Sequence, residues 1–189
     1  MPRKKTVIVI TGVPGTGKTR LAGLLKNRLK DADVIRATEL INSERLFSSR
    51  ARDGSKIVKM AGLRRALARA IEKSSARVVI LEGHVLCDIR IRGAKAVVLR
   101  EHLGKIKRRL LARGYGKEKV KANLVSEATD YCGLHAEKNY GEVFEMLSGS
   151  RTTLPSIVKL AKGGRAKKQD INLLEELRGI IKTDRNFAI

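Results

Sequence analysis

Aromatic side chains make up only 3% of this 189-residue chain, and none of them is Trp. Stacking platforms for single-stranded bases are built from exposed aromatics, so the composition argues against that class of activity. Only two cysteines are present, Cys87 and Cys132. Their spacing fits no metal-ligand pattern and they read as small reduced hydrophobes, although the sequence leaves open whether they pair. No run of about 18 apolar residues occurs, so no membrane-spanning helix is expected. Pro2-Arg3-Lys4-Lys5 leads straight into an apolar strand rather than into a signal peptide, which implies a cytoplasmic protein. A chain of this length supports one core of ordinary size, hence one domain.

Acidic residues are the remaining scarcity. Lys and Arg outnumber Asp and Glu 41 to 19, a formal charge of +22. A kinase of small nucleotides needs a few cations around its phosphates and no such surplus. The excess is either a solvated basic surface or an attraction to polyanions, and its size favours a nucleic-acid-rich environment such as a ribosome or its precursors.

What is present is most specific at Gly12-Val13-Pro14-Gly15-Thr16-Gly17-Lys18-Thr19. It fits the phosphate-binding pattern G-x-x-x-x-G-K-[ST] without departure. The β-branched run Thr6–Ile10 precedes it, and Leu21, Leu24, Leu25 and Leu29 follow at helical spacing. Strand, glycine loop and helix is the order that converges backbone N–H groups on a phosphate. Gly15 and Gly17 permit close approach of the backbone. Lys18 is expected to reach the β- and γ-phosphates of ATP, and the Thr19 hydroxyl to hold Mg²⁺.

Along the chain, short apolar runs alternate with helical segments, the pattern of an α/β fold with a parallel sheet. Strands are predicted at Val7–Ile10, Asp33–Arg36, Arg77–Leu81, Ala96–Leu99 and Ser156–Ala161. Helices are predicted up to Lys30, over Leu63–Glu72 and Leu103–Arg113, and as one long polar helix from Lys117 towards Leu147. A closing amphipathic helix over Ile171–Ile181 presents Leu173, Leu174, Leu177 and Ile181. Ser48–Lys56 and Lys162–Lys168 look least structured.

A phosphate loop alone does not distinguish a kinase from a GTPase or a motor. Glu82-Gly83-His84 follows the Arg77–Leu81 strand, where an acid can join the Mg²⁺ shell beside the γ-phosphate and a His can position water or an acceptor. Next come Arg100, Arg108-Arg109 and Arg113-Gly114-Tyr115. On composition these arginines suit a closing lid that neutralises the transferring phosphoryl group and a solvent-facing basic helix equally well.

The spacing Leu99-Arg100, Arg109-Leu110-Leu111-Ala112-Arg113-Gly114-Tyr115, Lys119, Asn123 and Glu127 resembles the sixth adenylate-kinase isoenzyme family, as does the acid-x-His element Glu82-Gly83-His84. Members are small P-loop proteins known as NMP kinases and as ATPases of small-subunit ribosome maturation. The resemblance implies an NMP-kinase-like P-loop fold: a five-stranded parallel sheet flanked by helices in one domain over 1–189. An NMP-binding segment is expected near 38–59 and a lid near 112–122. It implies ATP contacts at Gly15, Gly17, Lys18, Thr19, Arg20 and Arg113, with Lys18, Glu82, His84 and Arg113 catalytic. Thr19 and Glu82 would hold Mg²⁺, and Thr38 and Glu39 would face the NMP. It further implies AMP or a related NMP as acceptor, a small-subunit ribosomal protein of the S-eleven type as partner, and action on the pre-30S particle and its 16S rRNA. Three departures are visible: Leu103 stands where the family tends to carry Pro, Ser48–Arg52 and Lys59–Leu63 lack the acids common on the acceptor side, and Lys159–Lys162, expected near the adenine, is basic. The third reading is a small-metabolite kinase of the shikimate type, with Glu39 as the carboxylate for a hydroxyl acceptor.

Overall fold

Val7, Val9, Ile8 and Ile10 point to alternate faces of one strand, and all are buried. A strand apolar on both faces has to lie inside a sheet covered on both sides. In the computed structural model, which describes residues 5–50 and 55–183, that strand is β1 (Thr6–Thr11). It stands at the centre of a five-stranded parallel sheet. β2 (Ala32–Arg36) and β5 (Val78–Glu82) lie on one side of it, β6 (Lys95–Arg100) and β7 (Glu142–Leu147) on the other, in the order β2-β5-β1-β6-β7. Register sets Ile10 beside Glu82, and Glu82 beside Arg36, so the strand tips that carry chemistry are level.

Each face of the sheet has its own core. Ile8, Ile10, Ile80, Val97, Leu99 and Met146 pack under α1 (Lys18–Arg28) and α7 (Thr153–Ala161). Val7, Val9, Val79, Leu81, Ala96 and Val98 face α3 (Met60–Lys73), α4 (Leu103–Leu111), α5 (Lys117–Ala128) and α6 (Tyr131–Asn139). The period-2 alternation of the strands feeds both cores at once.

The expected strand at Ser156–Ala161 is helix α7. Ile157, Leu160 and Ala161 bury one helical stripe, and Pro155 sits in the first turn, where a missing N–H costs little. The fifth strand is β7, with Val143 and Met146 inward. The single long helix expected from Lys117 is two. Asp130 takes φ 55° between α5 and α6, and its carboxylate accepts the Gly133 N–H at 3.2 Å as the cap of α6. The closing helix α8 (Leu174–Thr183) buries Leu177, and Leu173 just before it is buried too, whereas Leu174 and Ile181 are exposed. Glu176 docks it: its carboxylate accepts the Leu103 N–H at 2.9 Å and meets the His102 ring at 2.5 Å.

The 38–59 segment holds α2 (Ala37–Ser43) and an antiparallel ribbon of β3 (Phe47–Arg50) and β4 (Lys56–Val58), so Ser48–Lys56 is more ordered than its composition suggests; residues 51–54 of it lie outside the described residues. Lys162–Lys168 is a loop, as expected. Cys87 and Cys132 are both buried and unbridged.

Arg100 is fully buried at the tip of β6. Its guanidinium donates to Glu127 at 3.1 Å, Asp130 at 2.5 Å and Glu145 at 2.6 Å. Burial raises the pKa of all three carboxyls, and the guanidinium opposes it. Replacing Arg100 with Leu is expected to cost about 3–5 kcal/mol at pH 7, because three half-buried or buried carboxylates lose their counter-ion. The sign of the pH effect follows. Without Arg100 these groups bind protons more readily folded than unfolded, so the variant regains stability as pH falls towards 5 and loses it as pH rises. Denaturant midpoints of both proteins at pH 5 and 7 check this.

Candidate active site

The loop between β1 and α1 closes around Lys18. Its ammonium is buried and donates to the Val13 carbonyl at 2.9 Å, and the Thr16 hydroxyl donates to the same oxygen at 3.0 Å. Gly17 takes φ 97° as the residue before α1, a conformation that favours Gly, and no side chain caps the helix. The first N–H groups of α1 are thus left to a ligand, with the positive end of the helix dipole behind them. Burial lowers the Lys18 pKa, and the Glu82 carboxylate opposes that shift.

Glu82 ends β5 in a buried position next to the loop. A Cβ on Gly83 would lie 2.7 Å from the Ala37 Cβ, so the chain can pass α2 here only as Gly. The following 3-10 turn, His84–Asp88, is held by the Thr11 hydroxyl donating to the His84 carbonyl at 3.0 Å. His84 remains exposed as a residue, yet the protein packed around its ring, and then the Lys18 ammonium, lower its pKa to about 4. At neutral pH the imidazole is mostly uncharged whether it titrates at that value or at its ordinary 6.5.

Two hollows flank the loop. The larger, about 630 Å³, is lined by Gly15, Gly17, Arg20, Arg109, Arg113 and the Ser148–Arg151 turn after β7. Arg109 bridges it: its guanidinium donates to the Gly15 carbonyl at 2.7 Å and pairs with buried Glu101 at 3.0 Å. The smaller, about 230 Å³, is lined by Val13, Pro14, His84, Asp88, Asn123 and Tyr131, among others. The 112–122 segment reaches across to the 38–59 segment, where the Lys119 ammonium donates to the Ser55 hydroxyl at 2.8 Å.

Of the residues singled out from sequence, Gly15, Gly17, Arg20 and Arg113 line the larger hollow, while Lys18, Glu82 and His84 gather at the loop. Thr19 is exposed in the first turn of α1. Thr38 and Glu39 are exposed on α2 and line neither hollow; Glu39 is paired with Arg36 at 2.8 Å. Glu127, part of the quoted block, is occupied by Arg100.

Sequence reasoning missed three features. Arg109 reads from sequence only as one member of a basic block, and its bond to the Gly15 carbonyl was not foreseen. The Ser148–Arg151 turn was hidden by the misplaced fifth strand, so the basic Lys159–Lys162 stretch expected near the adenine ends α7 instead, outside the larger hollow. Arg36 ends β2 with its Nε buried and without a hydrogen-bond partner among the described residues.

As for Mg²⁺, Thr19 opens α1 directly after the loop and Glu82 ends β5 beside it, and no three His, Cys, Asp or Glu side chains cluster among the described residues. That fits an ion held by one or two protein oxygens and completed by phosphates and water. A proton NMR titration of the ring of His84, in a background with His102 and His135 replaced by Gln, is expected to give a midpoint of about 4 rather than 6.5.

Residues 8–130 match the family described as an AAA domain. The chain is 34% identical over 145 residues to a protein named "Putative adenylate kinase" from Methanosarcina barkeri, covering 74% of this chain and 75% of that one. A protein of the same name from Methanothermobacter thermautotrophicus is 37% identical over 136 residues, covering 72% and 75%. Among solved structures, a shikimate kinase from Bacteroides thetaiotaomicron superposes with a TM-score of 0.56 at 20% identity, covering 84% of this chain and 96% of that one. That likeness concerns the fold. With a matching family over most of its length and relatives above 30% identity, the chain belongs to the adenylate-kinase-like family of P-loop proteins.

Proposed function

We propose that this protein transfers the γ-phosphoryl group of ATP to a nucleoside monophosphate, AMP or a related one, and to water when no acceptor is bound. The observation that carries this reading is the pair of hollows beside one phosphate loop, the larger lined by Arg20, Arg109 and Arg113 and the smaller by His84. One hollow takes a donor nucleotide, its phosphates along the loop and α1 and its base towards Ser148–Arg151. An acceptor phosphate then lies on the other side, beside His84. An acceptor oxygen attacks the γ-phosphorus in line, the bond to the β,γ-bridging oxygen breaks, and the electron pair leaves with ADP.

Lys18, Arg109 and Arg113 supply positive charge where the equatorial oxygens gain negative charge, and positioning does the rest. An acceptor phosphate is already a nucleophile and needs no general base. Mg²⁺ would be held by the Thr19 hydroxyl and Glu82, and would supply charge neutralisation between the β- and γ-phosphates. Neutral His84 can accept a hydrogen bond from a water placed for in-line attack, which a protonated ring could not.

A second reading is favoured by the acceptor segment. Its described acids, Glu39 and Glu44, are paired outward with Arg36 and Arg69, leaving no unpaired carboxylate among the described residues of the segment to recognise an acceptor base. In that reading the protein is mainly an ATPase of small-subunit maturation in the manner of the sixth adenylate-kinase isoenzyme family. It would dock on a ribosomal protein of the S-eleven type and on pre-30S 16S rRNA, with lid closure coupling hydrolysis to release.

Product analysis separates the two. With Mg·ATP and AMP, ADP formed without matching free phosphate is the expected result, and phosphate equal to the ATP consumed, unmoved by any NMP, would favour the ATPase. Lys18→Ala is expected to lower either turnover by about 10²–10³-fold. His84→Ala is expected to slow hydrolysis more than NMP phosphorylation, with ATP affinity unchanged in a nucleotide titration.

A further inference from the structure

The strands of the sheet all begin at one rim, on the far side of the molecule from the phosphate loop. The connections that lead into them are basic. Lys30 precedes β2, Arg77 precedes β5, and Arg90 and Arg92 precede β6. Helices return to the same rim, so Arg28 ends α1, and Lys162 follows α7. A hollow of about 480 Å³ lined by Thr6, Lys30, Asp31, Arg77 and Lys162 confirms that these separate connections meet. A second, of about 310 Å³, is lined by Arg90, Arg92 and the start of β7.

All six cations are exposed, and none has an ion-pair partner among the described residues. The few acids nearby are engaged: Asp31 accepts the Arg77 backbone N–H at 3.1 Å, and Glu142 pairs with Lys95 at 3.6 Å. Cations in the last turn of a helix complement its dipole, which accounts for Arg28. The same effect reaches Lys162, which caps α7, but it does not account for Lys30, Arg77, Arg90 or Arg92, which lie in connections.

We propose that this rim binds the phosphate backbone of a double-helical nucleic acid, at a site separate from the nucleotide-binding hollows. Five strands at roughly 4.8 Å make a rim about 20 Å wide. A duplex presents about a dozen phosphates over that length, enough for the six cations to be neutralised at once. The exposed large apolar side chains, such as Leu24, Ile57, Leu111 and Val125, belong to helices and the ribbon, and none lies in these connections. A protein interface would want an apolar or aromatic anchor here, and a membrane surface an inserting one. Tyr140 is buried, its hydroxyl donating to the Leu86 carbonyl at 2.7 Å, so it offers no platform for a base. The contacts are therefore to backbone phosphates and independent of sequence.

The test compares the full chain with a rim variant carrying Lys30→Gln, Arg90→Gln, Arg92→Gln and Lys162→Gln. A control of equal net charge carries Arg64→Gln, Arg65→Gln, Arg178→Gln and Lys182→Gln. Binding of a 20-base-pair RNA duplex and a DNA duplex of the same sequence is measured by anisotropy against salt. The rim variant is expected to bind at least tenfold more weakly at about 100 mM salt, with the slope of log K against log salt shallower by about three to four, while the control binds like the parent. ATP turnover is expected to stay unchanged in both. Equal losses in the two variants would overturn the proposal, since net charge alone would then explain binding. No binding by the parent, or equal rim-dependent binding of anionic vesicles or polyglutamate, would overturn it as well. None of these outcomes bears on whether the loop phosphorylates an NMP, so the two readings fail separately.

Discussion

One buried guanidinium ties the far half of the site together. Arg100 leaves the tip of β6 and reaches the end of α5 through Glu127, the α5–α6 junction through Asp130, and β7 through Glu145. Its second terminal nitrogen donates to the Glu127 backbone carbonyl at 2.6 Å, and Glu127 in turn accepts the Glu101 N–H at 2.9 Å. A charge taken this far from water is tolerated only when all its donors are used, so each partner is fixed in place by the others. The consequence reaches the hollows. β6 is followed directly by α4, which carries Arg109, and β7 by the turn that holds Ser148 and Arg151. Ser148 is itself anchored to the Arg100 carbonyl at 2.7 Å.

Around the phosphate loop the charges are arranged in the opposite sense. The start of α1 is uncapped, Arg113 lines the larger hollow, and the buried Lys18 has Glu82 as the carboxylate that acts on it most strongly. Arg109 and Lys18 meanwhile bond to carbonyls of the loop itself. These are weaker partners than a phosphate, and a nucleotide can displace them at little cost. The loop is thus held in shape without its ligand by bonds that the ligand replaces.

The two ends of the parallel sheet divide the work. Parallel strands put every carboxyl end on one rim and every amino end on the other, and ligands in open α/β sheets sit at the carboxyl ends. Here that end gathers Glu82, His84, Lys18 and the arginines, while the other gathers cations in short connections. A large positive charge therefore coexists with a nucleotide site that uses only a few of its members.

The sequence by itself determined the chemistry of the loop and most of the sheet. Gly12–Thr19 sits in contiguous residues whose backbone geometry is local, and β1, β5 and β6 each announce themselves by apolar runs buried on both faces, whereas β2 is a short, half-buried edge strand. Glu82 and His84 were legible for the same reason, being at a fixed offset from a strand end. What only the tertiary structure decided is long-range. Glu142–Leu147 reads as the continuation of a polar helix until β6 offers it a hydrogen-bonding edge, and Ser156–Ala161 reads as a strand until its stripe is covered by α1. Asp130 stands at the α5–α6 break with its carboxylate shared between the Gly133 N–H and Arg100, thirty residues earlier, a partner that no local pattern reveals. Arg36 and Arg109 look like two more members of a basic composition. Their place beside the loop comes from strand register and from the packing of α4 on Gly15, which no local pattern encodes.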